Sequence, residues 1–143
     1  MSSFKAFDIA GSGMAAQSVR LNTTASNLAN AESVSGDPTK VYKPRHPIFE
    51  AVRAQLAAAG AQNANDGAAV RVRGIYESQA PATQRYEPGN PLADANGYVY
   101  APSVNAVEEM VNMISASRSY QNNVEVMNTS KDLLLATLRL GQS

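Results

Sequence analysis

His46 is the single histidine of the 143-residue chain, and it stands in KPRHP between Pro44 and Pro47. There is no cysteine, which excludes disulfides, thiolate catalysis and cysteine zinc sites together. One imidazole with no nearby cluster of carboxylates cannot complete a metal coordination shell, so His46 is expected to be an exposed loop residue. No serine lies in a GxSxG elbow of the kind that presents a nucleophile. Gly11-Ser12-Gly13 falls inside a helical pattern and not after a strand, the context a phosphate-binding loop requires. Asp94 in PLADANG opens like a calcium loop, but no D-x-D-x-D-G series with a closing glutamate follows. Glu108 and Glu109 stand in the first turn of an expected helix, where they complement its dipole. An enzyme would need a pocket of convergent titratable groups around Arg45, His46 or Asp94. Neither catalysis nor a cofactor nor a bound metal is expected.

The bulk numbers narrow the partners. Twelve basic and twelve acidic residues cancel, and only 17% of the chain is charged. Nucleic acid and anionic membrane surfaces both favour a basic face, so neither is expected as a partner. No small-molecule substrate is implied. No run approaches 18 apolar residues, and MSSFKAFDIAGSGMAA lacks the apolar core of a cleaved signal peptide.

All seven prolines fall between Pro38 and Pro102, which divides the sequence into a helix (1–33), a middle region (34–101) and a second helix (102–143). The first helix has to be argued, because LNTTASNLANA (21–31) is rich in the residue types that favour turns and caps. Its spacing decides for helix: Phe7, Met14, Leu21 and Leu28 recur at intervals of seven, with Phe4, Gly11, Ser18 and Ala25 as a smaller second rail. From Ile9 to Ala31 the only charge is Arg20, so the polar side is not an ordinary exposed face. Each Asn, Thr or Ser costs roughly 0.5 kcal/mol against Ala in a helix, and each glycine about 1 kcal/mol. Alone, this segment should be largely unfolded.

The second helix begins near YAPSVNAVEE, where either Asn105, with Glu108 three residues on, or Ser103 is the cap. Met110, Met113, Ser117, Tyr120, Val124, Met127, Lys131, Leu134 and Leu138 then alternate at spacings of three and four. Val107, Val111, Ile114, Leu133 and Leu135 widen that stripe at its two ends, and Gly141 is a fitting stop. Such a helix of some 35 residues would be roughly 50 Å long at 1.5 Å per residue.

In the middle, VYKPRHPIFEAV offers short extended pieces and VRVRGIYES (70–78) alternates as a strand. Tyr98–Tyr100 reads as a short aromatic strand. The Ala/Gly/Asn-rich stretch 54–69 is either a fraying helix or a surface loop. The expected fold is mainly α: two long terminal helices packing as a coiled-coil-like pair, with a small β-rich or irregular middle. Part of the apolar stripe would pack within one chain. Helices this long cannot bury everything against each other and a thin middle, so assembly is expected. A soluble helical adaptor or export-chaperone-like hairpin is the alternative that the same heptads allow.

QSVRLNTTASNLANAES resembles the N-terminal motif of the axial proteins of the bacterial flagellum. NAVEEMVNMISASRSYQNNVEVMNTSKDLLLATLRLG resembles, nearly end to end, the C-terminal helix of a proximal rod subunit in that family. PGNPLADANGYVYAPSVN and VYKPRHPIFEAV are similar to the same family, which usually shows Asn where this chain has Ser103. The resemblance implies a structural subunit of the basal-body proximal rod, the tubular drive shaft that transmits torque across the periplasm, and one exported without a cleaved signal peptide. Implied partners are copies of the same chain, other rod proteins of the FlgB, FlgF, FlgG and FliE types, and the flagellar type III export apparatus. Subunit packing would then fall to Phe7, Met14, Leu21 and Leu28 on the first helix and to Met110, Met113, Tyr120, Val124, Met127, Leu134 and Leu138 on the second. Asn22, Asn27 and Asn30 either fix register between helices through hydrogen bonds or are simply solvated.

Overall fold

The computed structural model describes residues 3–53 and 68–141. The elements, in chain order, are α1 (Ser3–Ala29), β1 (Arg45–Arg53), β2 (Ala68–Glu77), β3 (Thr83–Tyr86), β4 (Tyr98–Ala101) and α2 (Ala106–Leu140). Most of the Ala-rich stretch, 54–67, lies outside the described residues. Two helices and two small two-stranded sheets make up the fold, β1 with β2 and β3 with β4.

In α1 several polar side chains are accommodated by hydrogen bonds to nearby backbone. Ser12 and Thr23 donate their hydroxyls to the carbonyls of Ile9 (2.8 Å) and Arg20 (3.0 Å), three residues back. At the C-terminal end two carbonyls accept from side chains as well as from backbone N–H groups. The Asn30 amide donates to the Ser26 carbonyl at 2.8 Å, and the Ser33 hydroxyl donates to the Asn30 carbonyl at 2.7 Å.

Asn105, not Ser103, caps α2: its Oδ1 accepts from the backbone N–H groups of Val107 (3.1 Å) and Glu108 (3.3 Å). Glu108 and Glu109 occupy the acidic first turn and Arg139 the last, both signs suited to the dipole. The helix runs 35 residues and closes with the Gly141 N–H on the Thr137 carbonyl.

Contacts divide the chain into two compact units. The first holds residues up to Val19, Ile48–Gly74 and Ser115 onward. Among the described residues its buried apolar side chains are those of Ala10, Ala16 and Ala116. A Cβ built on Gly13 would stand 2.8 Å from Asn123 Nδ2, so the glycine is what lets Asn123 come so close. The Val70 N–H donates to the Ser12 hydroxyl at 3.1 Å, tying β2 to α1.

The second unit holds Arg20–Pro47 and Ile75–Ile114. Its core is Val99, fully buried, with Ala101 on the same face of β4 two residues on. The antiparallel β3–β4 pair sets Tyr86 opposite Tyr98, their rings edge to face at 5.2 Å. The 94–97 turn is built by Asp94, whose Oδ1 accepts from the N–H groups of Asn96 (2.8 Å) and Tyr98 (2.9 Å). Gly97 completes it at φ 82°, with the Tyr86 ring where a side chain would go. Asp94 is therefore a turn builder, which accounts for its likeness to the start of a calcium loop.

Candidate assembly surfaces

The residues most deeply placed on α1 are not its large ones. Thr23, Thr24 and Asn27 are buried in the second unit, Asn27 completely. Phe7, Met14, Leu21 and Leu28 are each only half-buried, and Ser18 and Ala25 of the small rail are exposed. The helix thus buries its small and polar side and leaves its apolar rail partly open.

Asn27 holds down the chain that follows α1. Its Nδ2 donates to the Arg45 carbonyl (2.9 Å), while its Oδ1 accepts from the Arg45 N–H (2.8 Å) and the Tyr42 hydroxyl (2.9 Å). A side-chain amide gives donor and acceptor on one planar head, so it pairs with both backbone groups of one residue as a strand neighbour would. Burial raises the Tyr42 pKa, with Glu109 and Glu77 pushing the same way and Arg45 opposing them. Of the other two asparagines, Asn30 bonds to its own helix and Asn22 is exposed.

On α2 the buried positions are Glu109, Ala116 and Ser130. With the half-buried Asn123 they form a rail of period seven, one residue ahead of the Met110, Ser117, Val124, Lys131, Leu138 series read from hydropathy. Met113, Val124, Met127 and Leu134 are half-buried, whereas Met110 (45% exposed), Tyr120 (38%) and Leu138 (62%) face outward. Sequence reasoning passed over the 109/116/123/130 rail because Glu, Ala, Asn and Ser carry no apolar signal. Its heptad spacing was the signal that could have found it.

The outward apolar surface is extensive. In the second unit Val107, Met110, Val111 and Ile114 make a continuous exposed strip on the first turns of α2. In the first unit Val126, Leu133 and Leu140 are exposed at intervals of seven, an outer seam that hydropathy counts did not single out. Ile48 and Phe49, neighbours in β1 and so on opposite faces of the ribbon, are both exposed as well.

His46 lies in β1, exposed, on the wall of a cleft of about 360 Å³ in the second unit. Glu108, Glu109, Ser78, Thr83 and Ser103 share that wall. Among the described residues no group of three or more His, Cys, Asp or Glu could hold a metal ion. Arg45, at the start of β1, is committed to Glu77 at 3.0 Å.

Two family models match the chain. One, for flagella basal body rod proteins, covers residues 7–36, and one for the C-terminal part of flagellar basal body rod FlgEFG proteins covers residues 95–140. The chain is 55% identical over 136 residues to a flagellar basal-body rod protein FlgC of Salmonella typhimurium, covering 95% of this chain and 96% of that one. It is 51% identical over 142 residues to the FlgC of Yersinia enterocolitica, spanning 99% of this chain and all of the relative. The FlgC of Aquifex aeolicus is 41% identical over 138 residues, 96% of each chain. Rods are made by subunits packing on one another, and this chain has outward apolar strips. It belongs to the FlgC family of flagellar basal-body rod proteins and is a structural subunit of the rod, not an enzyme.

Proposed function

We propose that the two helices are the parts by which this subunit joins the proximal rod, packing against helices of neighbouring copies and of other rod proteins to form a tube that transmits torque. The observation that carries this reading is the exposure of Val107, Met110, Val111, Ile114, Leu133 and Leu138 on a single helix. Monomers rarely leave so many large apolar side chains of one helix in water. The half-buried Phe7–Met14–Leu21–Leu28 rail offers α1 of one subunit as a partner for such strips, in a coiled-coil-like seam. Met113, Tyr120, Val124, Met127 and Leu134 would line the other side of that seam, with Asn22 and Asn30 at its border. An open, heterologous contact of this kind propagates, whereas a closed hairpin adaptor would hide its stripe. Rod proteins of the FlgB, FlgF, FlgG and FliE types are the proposed neighbours, the periplasm-spanning rod is the proposed location, and the flagellar type III export apparatus the proposed route to it.

Met110→Asp and Leu138→Asp test the reading at side chains already facing outward. Each monomer should fold with unchanged stability, yet fail to enter basal bodies, because an unpaired charge in a dry seam costs several kcal/mol. Normal motility from either variant would remove that residue from the seam.

A further inference from the structure

We propose that the cleft beside the start of α2 is a socket for a basic side chain of an adjoining rod subunit, whose ammonium or guanidinium completes the Glu109 carboxylate. Glu109 is 5% exposed, and its Oε2 is buried with no hydrogen-bond partner. No salt bridge reaches it among the described residues. A carboxylate taken out of water in this way is expected to have a counter-charge or donors.

Four of the chain's own cations in this unit are committed elsewhere, whereas His46 lines the cleft itself. The Tyr42 hydroxyl donates its one hydrogen to Asn27 Oδ1. Arg45 is held by Glu77, Arg85 by Glu87, Lys40 by Asp37, and Arg20 donates to Asn112.

The cleft has the chemistry of a cation acceptor. Glu108 and Glu109 both line it, with the hydroxyl oxygens of Ser78, Thr83 and Ser103 able to accept further N–H groups. Two carboxylates facing one imidazole disfavour an anion, and the described residues hold no metal-ligating group of three. At about 360 Å³ the space admits the end of a Lys or Arg side chain with room for water. Glu109 meets the incoming group by turning about its terminal side-chain torsion, which is broad for glutamate. The source of the cation follows from the assembly reading above, in which other subunits lie against α2.

The experiment places a photoreactive residue at Thr83, on the exposed rim, and irradiates purified basal bodies carrying the full-length protein. The expected product is a cross-link to a peptide of a rod subunit bearing Lys or Arg at the contact. Replacing that basic residue by Glu should block motility, and combining it with Glu109→Lys should restore it. Glu109→Gln, which keeps the shape and removes the charge, should incorporate at least tenfold less while its isolated monomer unfolds at or above the denaturant midpoint of the parent. Incorporation of Glu109→Gln at the parent level, or cross-links only to peptides without a basic residue, overturns the socket. Failure of the unaltered protein to appear in basal bodies would instead overturn the assembly reading on which the source of the cation rests.

Discussion

Replacing Asn27 by Leu raises the helix propensity of α1 by a few tenths of a kcal/mol and puts an apolar side chain in a site with no exposure. On those grounds alone it should stabilise the protein. The hydrogen bonds say otherwise. The change strands the Arg45 N–H, the Arg45 carbonyl and the Tyr42 hydroxyl, which Asn27 meets at 2.8, 2.9 and 2.9 Å. Each stranded group costs about 1–3 kcal/mol where water cannot reach it, and less where it can. Tyr42 is half-buried and the Arg45 side chain exposed, so the low end applies: about 3–4 kcal/mol in all, less about 1 kcal/mol regained from apolar burial. A net loss of about 2–3 kcal/mol would move the urea midpoint by about 1 M. Tyrosine fluorescence can follow the transition, since the chain has six tyrosines and no tryptophan. Asn22→Leu, on the exposed side of the same helix, gains the same propensity and strands nothing, so its midpoint should stay or rise. If the two variants unfold alike, Asn27 does not anchor the Tyr42–Arg45 segment and the reasoning fails.

Gly36→Ala should destabilise the monomer by about 1–3 kcal/mol, because the new Cβ would stand 2.6 Å from the backbone oxygen of Leu92, which cannot rotate aside. Gly74→Ala meets nothing within 4 Å and should be neutral or stabilising by up to about 1 kcal/mol, as thermal unfolding of the two proteins can compare. The raised pKa of Tyr42 means that the folded state favours the protonated phenol. Its contribution is whole below the unfolded value of about 10 and is lost as pH rises through the folded value, so stability should fall on the alkaline side above about pH 10. Tyr42→Phe should be weaker at neutral pH and lose that part of the alkaline decline; an unchanged alkaline profile would contradict the assignment.

Where hydropathy carried the signal, the sequence was read well: both helices and the β2 and β4 strands appear close to where periodicity and turn residues put them, while the α2 cap, left open between Asn105 and Ser103, is settled by hydrogen bonds. What hydropathy could not show was which side of each helix goes inward. On α1 the buried face is Thr23, Thr24 and Asn27, chosen by hydrogen bonding and close approach and not by apolar area. On α2 the inner rail likewise falls on Glu109, Ala116, Asn123 and Ser130, none of them a large apolar residue. Large side chains kept outside a subunit look, in a hydropathy plot, like core. His46 illustrates the converse, since a solitary polar residue between prolines gave no hint of the cleft it borders, whose other walls come from β3, the 102–105 segment and α2.

The small apolar side chains buried among the described residues of the first unit have a mechanical consequence. A buried alanine contributes a single methyl group, so Ala10, Ala16 and Ala116 store little cohesive free energy in an isolated subunit. Stiffness in such a piece has to come from outside it, as successive neighbours close over the apolar rails. In a rod assembled as proposed, a subunit would stiffen only once its neighbours are seated. The rod's bending modulus then belongs to the lattice of seams, and a subunit lost from the interior weakens every chain that leaned on it.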